Sequence, residues 1–313
     1  MAQEWQIEGP KVLDIGGEHE RVRELKLGLV AGRVDIVTHD DSPTARLEVH
    51  EVAGKPLLVS WDGSTLKISH VKEKDGSFWD SLSALTQDKG KRSARVSISV
   101  PATTDVNAST VSAEALINGV RATVKANTVT GVLTLDEITG NVDANTVSGD
   151  IECHALDGDF KGNSISGALT VEASRLGQVK LNTVSGDITL DLTDGRAQVQ
   201  SYSVSGDVTV RIPAGGGFDV VAHTASGHVV IDGQSMNTDA PFQRGGQLSD
   251  GDKALVIKAN SISGNVVVLR ATGVQDRLPD GQGTAPIVQD GAPTVQDTPP
   301  AVQDSPPDAE NAG

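Results

Sequence analysis

Between residues 109 and 264 the alternation of apolar and polar positions keeps returning to one phrase, V-x-x-N-T-V-S-G-x-I-x-L, whose centre reads STVSA, NTVTG, NTVSG, NSISG, NTVSG, YSVSG, HTASG and NSISG. The closing residues are Ala113, Gly131, Gly149, Gly167, Gly186, Gly206, Gly227 and Gly264, at steps of 18, 18, 18, 19, 20, 21 and 37. The last step is about two units long and predicts one degenerate copy near Gly245. A second set of glycines, Gly140, Gly158, Gly177 and Gly195, halves the period, so each unit has two sides.

Around these glycines the apolar residues fall into columns. One holds Val106, Val124, Val142, Phe160, Val179, Val199, Val220 and Ile257. A second holds Ala115, Leu133, Ile151, Leu169, Ile188, Val208, Val229 and Val266, and a third Ile117, Leu135, Cys153, Val171, Leu190, Val210, Ile231 and Val268. Period-two alternation is the signature of half-buried strands. Strands recurring at this spacing with no helical segment between them satisfy their backbones by pairing with the same strand one turn above and below. The prediction is an all-β, single-stranded parallel β-solenoid (β-helix) of about 18–21 residues per turn, a rod on the order of 40 Å long at about 4.8 Å per turn. It carries a β-rich N-terminal cap and a disordered C-terminal tail.

Three further columns invite interpretation. Asn127, Asn145, Asn163, Asn182 and Asn260 share one position, interrupted by Tyr202 and His223, and read as a structural ladder of side-chain amides. Thr128 and Thr130, with the equivalent pairs through Ser203 and Ser205, read as two outward hydroxyl rows. The column glycines read as bends with unusual backbone angles.

Outside the regular units, residues 1–100 read as the cap and first turns, residues 101–272 as the solenoid, and residues 273–313 as the tail. The segment GRVDI at Gly32 to Ile36 imitates the glycine-strand half of the repeat. An inserted loop is expected at 77–95, where Phe78, Trp79, Leu82 and Leu85 share a helical face and Lys89, Lys91, Arg92 and Arg95 follow without an acid between them. These eight residues are the candidate partner contact; membrane contact through 77–95 is the weaker reading. Gly233 to Lys253, with Pro241 and Phe242, reads as a loop thrown off a degenerate rung. The tail repeats VQD at Val274, Val288, Val295 and Val302 and holds seven of the 13 prolines, a composition that does not bury enough surface to fold.

Composition narrows the chemistry. A net charge of −16 argues against nucleic acid and anionic membrane surfaces as main partners. No run approaches the roughly 18 apolar residues of a membrane-spanning helix, and the charged start MAQEWQIEGPKVLDIGGEHE does not read as a signal peptide, so a cytoplasmic location is expected. The positions after the column glycines run Val132, Asp150, Ala168, Asp187, Asp207, His228 and Asn265, a broken row rather than the clustered carboxylates of a polysaccharide-cleaving solenoid. The paired glycines and regular Asp of calcium-binding solenoids are missing, and His223 and His228 have no evident third ligand. Cys153 lies in a core column and reads as a small buried hydrophobe. No cofactor, metal or catalytic residue is expected.

GRVDIV near the start, RVSISVPATTDV before the repeats and the serial NTVSGDI units together resemble the bacterial DUF4097 family, a β-strand-repeat family that carries an adhesin label. The resemblance covers about residues 5–270, implies the repeat architecture and brings no catalytic residues with it. The expected function is a non-enzymatic interaction or scaffold protein with a protein partner or self-association. The alternatives are a cell-surface adhesin and a polysaccharide-active β-helix enzyme.

Overall fold

The computed structural model describes residues 3–17, 20–70, 92–236 and 244–271. The chain divides into a unit of residues 1–273 and a second of residues 274–313, and the expected tail lies outside the described residues. So do Phe78, Trp79, Leu82, Leu85, Lys89 and Lys91.

The N-terminal strands are β1 (Gln3–Ile7), β2 (Lys11–Ile15), β3 (Glu24–His39), β4 (Ala45–Gly54), β5 (Leu57–Trp61), β6 (Thr65–Ser69) and β7 (Arg92–Pro101). Next come β8 (Asp105–Asn118), β9 (Val124–Thr128), β10 (Leu133–Asp136), β11 (Val142–Thr146), β12 (Ile151–His154), β13 (Asp157–Ser164), β14 (Leu169–Thr183), β15 (Ile188–Leu192), β16 (Gln198–Tyr202) and β17 (Val208–Ile212). The C-terminal strands are β18 (Phe218–Thr224), β19 (Val229–Ile231), β20 (Gln234–Ser235), β21 (Arg244–Asp250), β22 (Leu255–Ser261) and β23 (Val266–Arg270). Among the described residues there is no helix.

Each regular turn contributes one strand to each of two parallel ribbons. In the first, β8, β9, β11, β13, the end of β14 and β16 stack in order, with Val124 beside Val142 and Val142 beside Phe160. In the second, β8, β10, β12, the start of β14, β15 and β17 stack, with Leu133 beside Ile151 and Ile151 beside Leu169. All three apolar columns are buried between the ribbons in a single hydrophobic cluster. Each Val, Ile or Leu there contributes roughly 1.5–3 kcal/mol. Cys153 is among them, and burial pushes its thiol far above the ordinary range.

Turn order departs from chain order at both ends. β22 lies between β16 and β18, and β23 between β17 and β19, so the last turn is inserted beneath the one before it. At the other end β3 lies between β8 on one side and β6 and β7 on the other, with Gly32 beside Ala113 as the repeat-like GRVDI suggests. Antiparallel strands then close the stack: β5 and β1 on β6, β4 and β2 on β7, β21 on β18, and the two-residue β20 on β19. Short or reversed end strands cover what would otherwise be a template for further parallel pairing.

Two sequence readings are corrected here. Gly245 is not in a degenerate rung; it sits in the antiparallel cap β21, beside His223. The final 37-residue step is long because the chain makes that cap before returning to fill the gap. At the other insertion, strand β7 already begins at Arg92, so Arg92 and Arg95 are sheet residues rather than loop.

The glycine reading is corrected as well. Gly140 and Gly158 do adopt positive φ, of 147° and 145°, at the second corner. The column glycines Gly131, Gly149, Gly167, Gly186, Gly206, Gly227 and Gly264 do not. They are glycine because a Cβ would overlap the backbone carbonyl of the equivalent residue one turn away, for Gly149 the carbonyl of Gly131 and for Gly264 that of Gly206.

Candidate interaction surface

The first corner of each turn, T-V-S-G, is built by a hydroxyl. Gly131 donates its amide to Thr128 Oγ1 at 3.1 Å, and the same bond joins Gly149 to Thr146, Gly186 to Thr183, Gly206 to Ser203, Gly227 to Thr224 and Gly264 to Ser261. These hydroxyl residues are buried, which corrects the expectation of two outward rows: the Thr/Ser before the aliphatic residue points inward and closes the corner. The row after it, Thr130, Ser148, Ser166, Ser185, Ser205, Ser226 and Ser263, is exposed.

Between the two hydroxyls the corner turns an aliphatic side chain toward the surface of the rod, half-buried at Val111, Val129, Val147 and Ala225 and exposed at Ile165, Val184, Val204 and Ile262. In spatial order the column is Val111, Val129, Val147, Ile165, Val184, Val204, Ile262 and Ala225, locked rung by rung. The amides of Thr130, Ser148, Ser166, Ser185, Ser205, Ser263 and Ser226 bond to the carbonyls of Val111, Val129, Val147, Ile165, Val184, Val204 and Ile262 at 2.8–3.0 Å. Ile165 is 49% exposed, Val184 46%, Val204 40% and Ile262 56%. At about 4.8 Å per rung the ridge is about 34 Å long. Contiguous exposed apolar rows of this kind mark interaction sites.

Sequence reasoning missed the ridge. Strict alternation places Thr128 and Thr130 on one face and Val129 on the other, but the bend at the corner sends both Val129 and Thr130 outward. The available signal was that seven of the eight copies carry Val or Ile at the central position.

The ridge separates two unlike faces. On the first ribbon an outward column holds Lys67, Lys26, Asn107, Lys125, Asp143, Lys161, Lys180, Gln200 and Lys258 in register. Nearer the ridge stands the asparagine column. Asn145 donates to Asn127 at 3.0 Å, Asn163 to Asn145 at 2.6 Å and Asn182 to Asn163 at 2.9 Å. Asn260 stands apart from this run, in register between Tyr202 and His223. On the second ribbon the row after the glycines is acidic at Asp150, Asp187 and Asp207. Their carboxylates accept the amides of Ala168, Asp207 and Asn265 one turn on, at 2.8, 2.8 and 2.7 Å. Those carboxylates are engaged in holding turns together.

Arg95 and Arg33 stack in one column between Glu51 and Glu114, beside a shallow cleft of about 720 Å³. Arg33 is held by Asp35 at 3.0 Å and Glu114 at 3.6 Å, and a register shift in β4 brings His50 to 2.9 Å from the Ser97 hydroxyl. Among the described residues no group of His, Cys, Asp and Glu has the arrangement of a metal site, and no helix is long and apolar enough to cross a membrane.

The family model described as Toastrack DUF4097 matches residues 34–269. None of the curated proteins compared with the chain matches it. Among solved structures, a Bacteroides fragilis protein described as a "putative adhesin" is 13% identical over 83% of this chain and 97% of its own, with a TM-score of 0.39. A "putative lipid binding protein" from Parabacteroides distasonis is 13% identical over 84% of this chain and 97% of its own, with a TM-score of 0.33. A "putative cell adhesion protein" from Clostridium sporogenes is 12% identical over 84% of this chain and 100% of its own, with a TM-score of 0.26. At these scores the likenesses carry no argument about what this chain does.

Proposed function

The chain belongs to the Toastrack DUF4097 family, and from that premise we propose that it is a non-enzymatic interaction or scaffold protein whose contact line is the aliphatic ridge from Val111 to Ala225. The observation that carries this reading is the ridge itself: a rigid backbone ladder sets an aliphatic side chain at the corner of every turn, and in four successive turns, at Ile165, Val184, Val204 and Ile262, it holds a branched one in water at the cost of its hydration. The carboxylates an enzymatic reading would need support the same view, because Asp150, Asp187 and Asp207 are bonded to the backbone of the neighbouring turn.

The test is capture of binding proteins by the full chain from native lysate, beside the Ile165→Glu/Val184→Glu variant and versions lacking residues 77–91, which stop short of strand β7, or 274–313. The reading predicts that the ridge variant loses its partners while both deletions keep them; loss with a deletion alone would move the contact off the ridge. Fractionation of intact cells decides between a cytoplasmic scaffold and the exported adhesin.

A further inference from the structure

We propose that the occupant of the ridge is a second copy of this chain, packed ridge to ridge with the two rods parallel and the two-fold axis running along them; the inference rests on the ridge being a contact line.

Three observations point to a second copy. The ridge is one side chain wide, and its knobs repeat at the backbone spacing of about 4.8 Å. A matching row of contacts requires the same spacing over the same length, and a second copy related by a two-fold along the rod supplies it by construction, each ridge residue meeting its own equivalent at the same height. Three of the flanking hydroxyls are also suited to losing water. Thr130, Ser185 and Ser263 donate to the carbonyls of Val111, Ile165 and Val204 at 3.2, 3.2 and 3.1 Å, so a neighbour covering them strands no donor. Charge then selects the direction. The outward faces of the two ribbons point apart, one bearing Lys125, Lys180 and Lys258 together with Lys161, which pairs with Asp143 of its own column at 3.2 Å, the other Asp150, Asp187 and Asp207. A two-fold along the rod sets the lysine face of one copy beside the acidic face of the other, whereas an antiparallel pair sets like beside like.

The strip is narrow beside the roughly 800 Å² per partner of a stable interface, so the dimer forms and dissociates with concentration. Ile165, Val184, Val204 and Ile262, the most exposed members, dominate the contact.

The experiment is sedimentation of the full chain over about a hundredfold range of concentration, with oxidative cross-linking of the Val129→Cys and Ile262→Cys variants. Cys153 is buried and stays silent. The parallel dimer predicts a monomer–dimer equilibrium, a disulfide dimer from each variant alone, and no mixed dimer when the two are combined. It also predicts that Ile165→Glu/Val184→Glu weakens dimerisation at least tenfold, with Ile165→Ser as a milder variant and circular dichroism verifying the fold. Monomer at every concentration, or disulfides only in the mixture, overturns the proposal. If the chain stays monomeric while the ridge variant still loses captured proteins, the contact line stands with a different occupant. If neither responds to the ridge variant, both readings fall.

Discussion

Asn265 donates its backbone amide to the carboxylate of Asp207 at 2.7 Å across 58 residues of chain, and the turn it belongs to sits between residues 198–212 and 218–231. The final turn is therefore an internal layer of the rod although it comes last in the sequence.

Removing residues from 255 onward is predicted to destroy the C-terminal third of the fold rather than trim one rung, because β16 loses the parallel neighbour on one side and β18, left with antiparallel β21, loses its connection to the stack. Limited proteolysis should cut within 198–236 in the truncated chain and spare it in the full one. Protection through residue 231 would count against the inserted order.

Asn145→Ala removes the donor to Asn127 and Asp143 and the acceptor for Asn163, and leaves partly buried amides unpaired. It should lower unfolding free energy by about 1–3 kcal/mol in urea titration. Asn260→Ala, outside that run, should cost less than Asn145→Ala.

The column glycines make a sharper contrast. Gly149→Ala places a methyl group in the carbonyl of Gly131 and should cost about 3 kcal/mol or more, while Gly195→Ala meets nothing nearer than 3.6 Å and should cost under about 1 kcal/mol. Equal losses would mean that the close stacking of backbones is not what fixes glycine in the column.

His70 is buried, accepts the Val30 amide through Nδ1 at 3.4 Å, and is held down to about 4, first by burial and then by the charge of Arg92. A depressed folded value means that the unfolded chain takes up the proton first. This site's contribution is whole above the ordinary value near 6.5 and falls as pH drops from there towards about 4. Melting temperature should decline over that window, and His70→Asn, which keeps an acceptor without the titration, should flatten the part of the decline above the carboxylate range. Parallel curves for the two proteins would exclude His70 as the cause.

The solenoid was legible in the sequence because its cause is local. Inward Val, Ile and Leu at period two, a tight corner and a fixed turn length leave an unassisted strand with parallel pairing as its outlet, and columns such as Val106 to Ile257 are buried throughout. The asparagine run was legible for the same reason, since equal spacing stacks equal residues. The order of the turns was not. Every turn presents nearly the same pairing edge, so the pattern specifies what kind of neighbour a strand accepts but not which one, and β3 and β22 take places that only the assembled stack defines. The ridge escaped for a geometric reason: alternation holds along a straight strand, and at the T-V-S-G corner the inward Thr128 hydroxyl bends the chain so that Val129 and Thr130 both face out. Local sequence determined the rung; three-dimensional stacking decided the order of the rungs and which side chains form the surface along their edge.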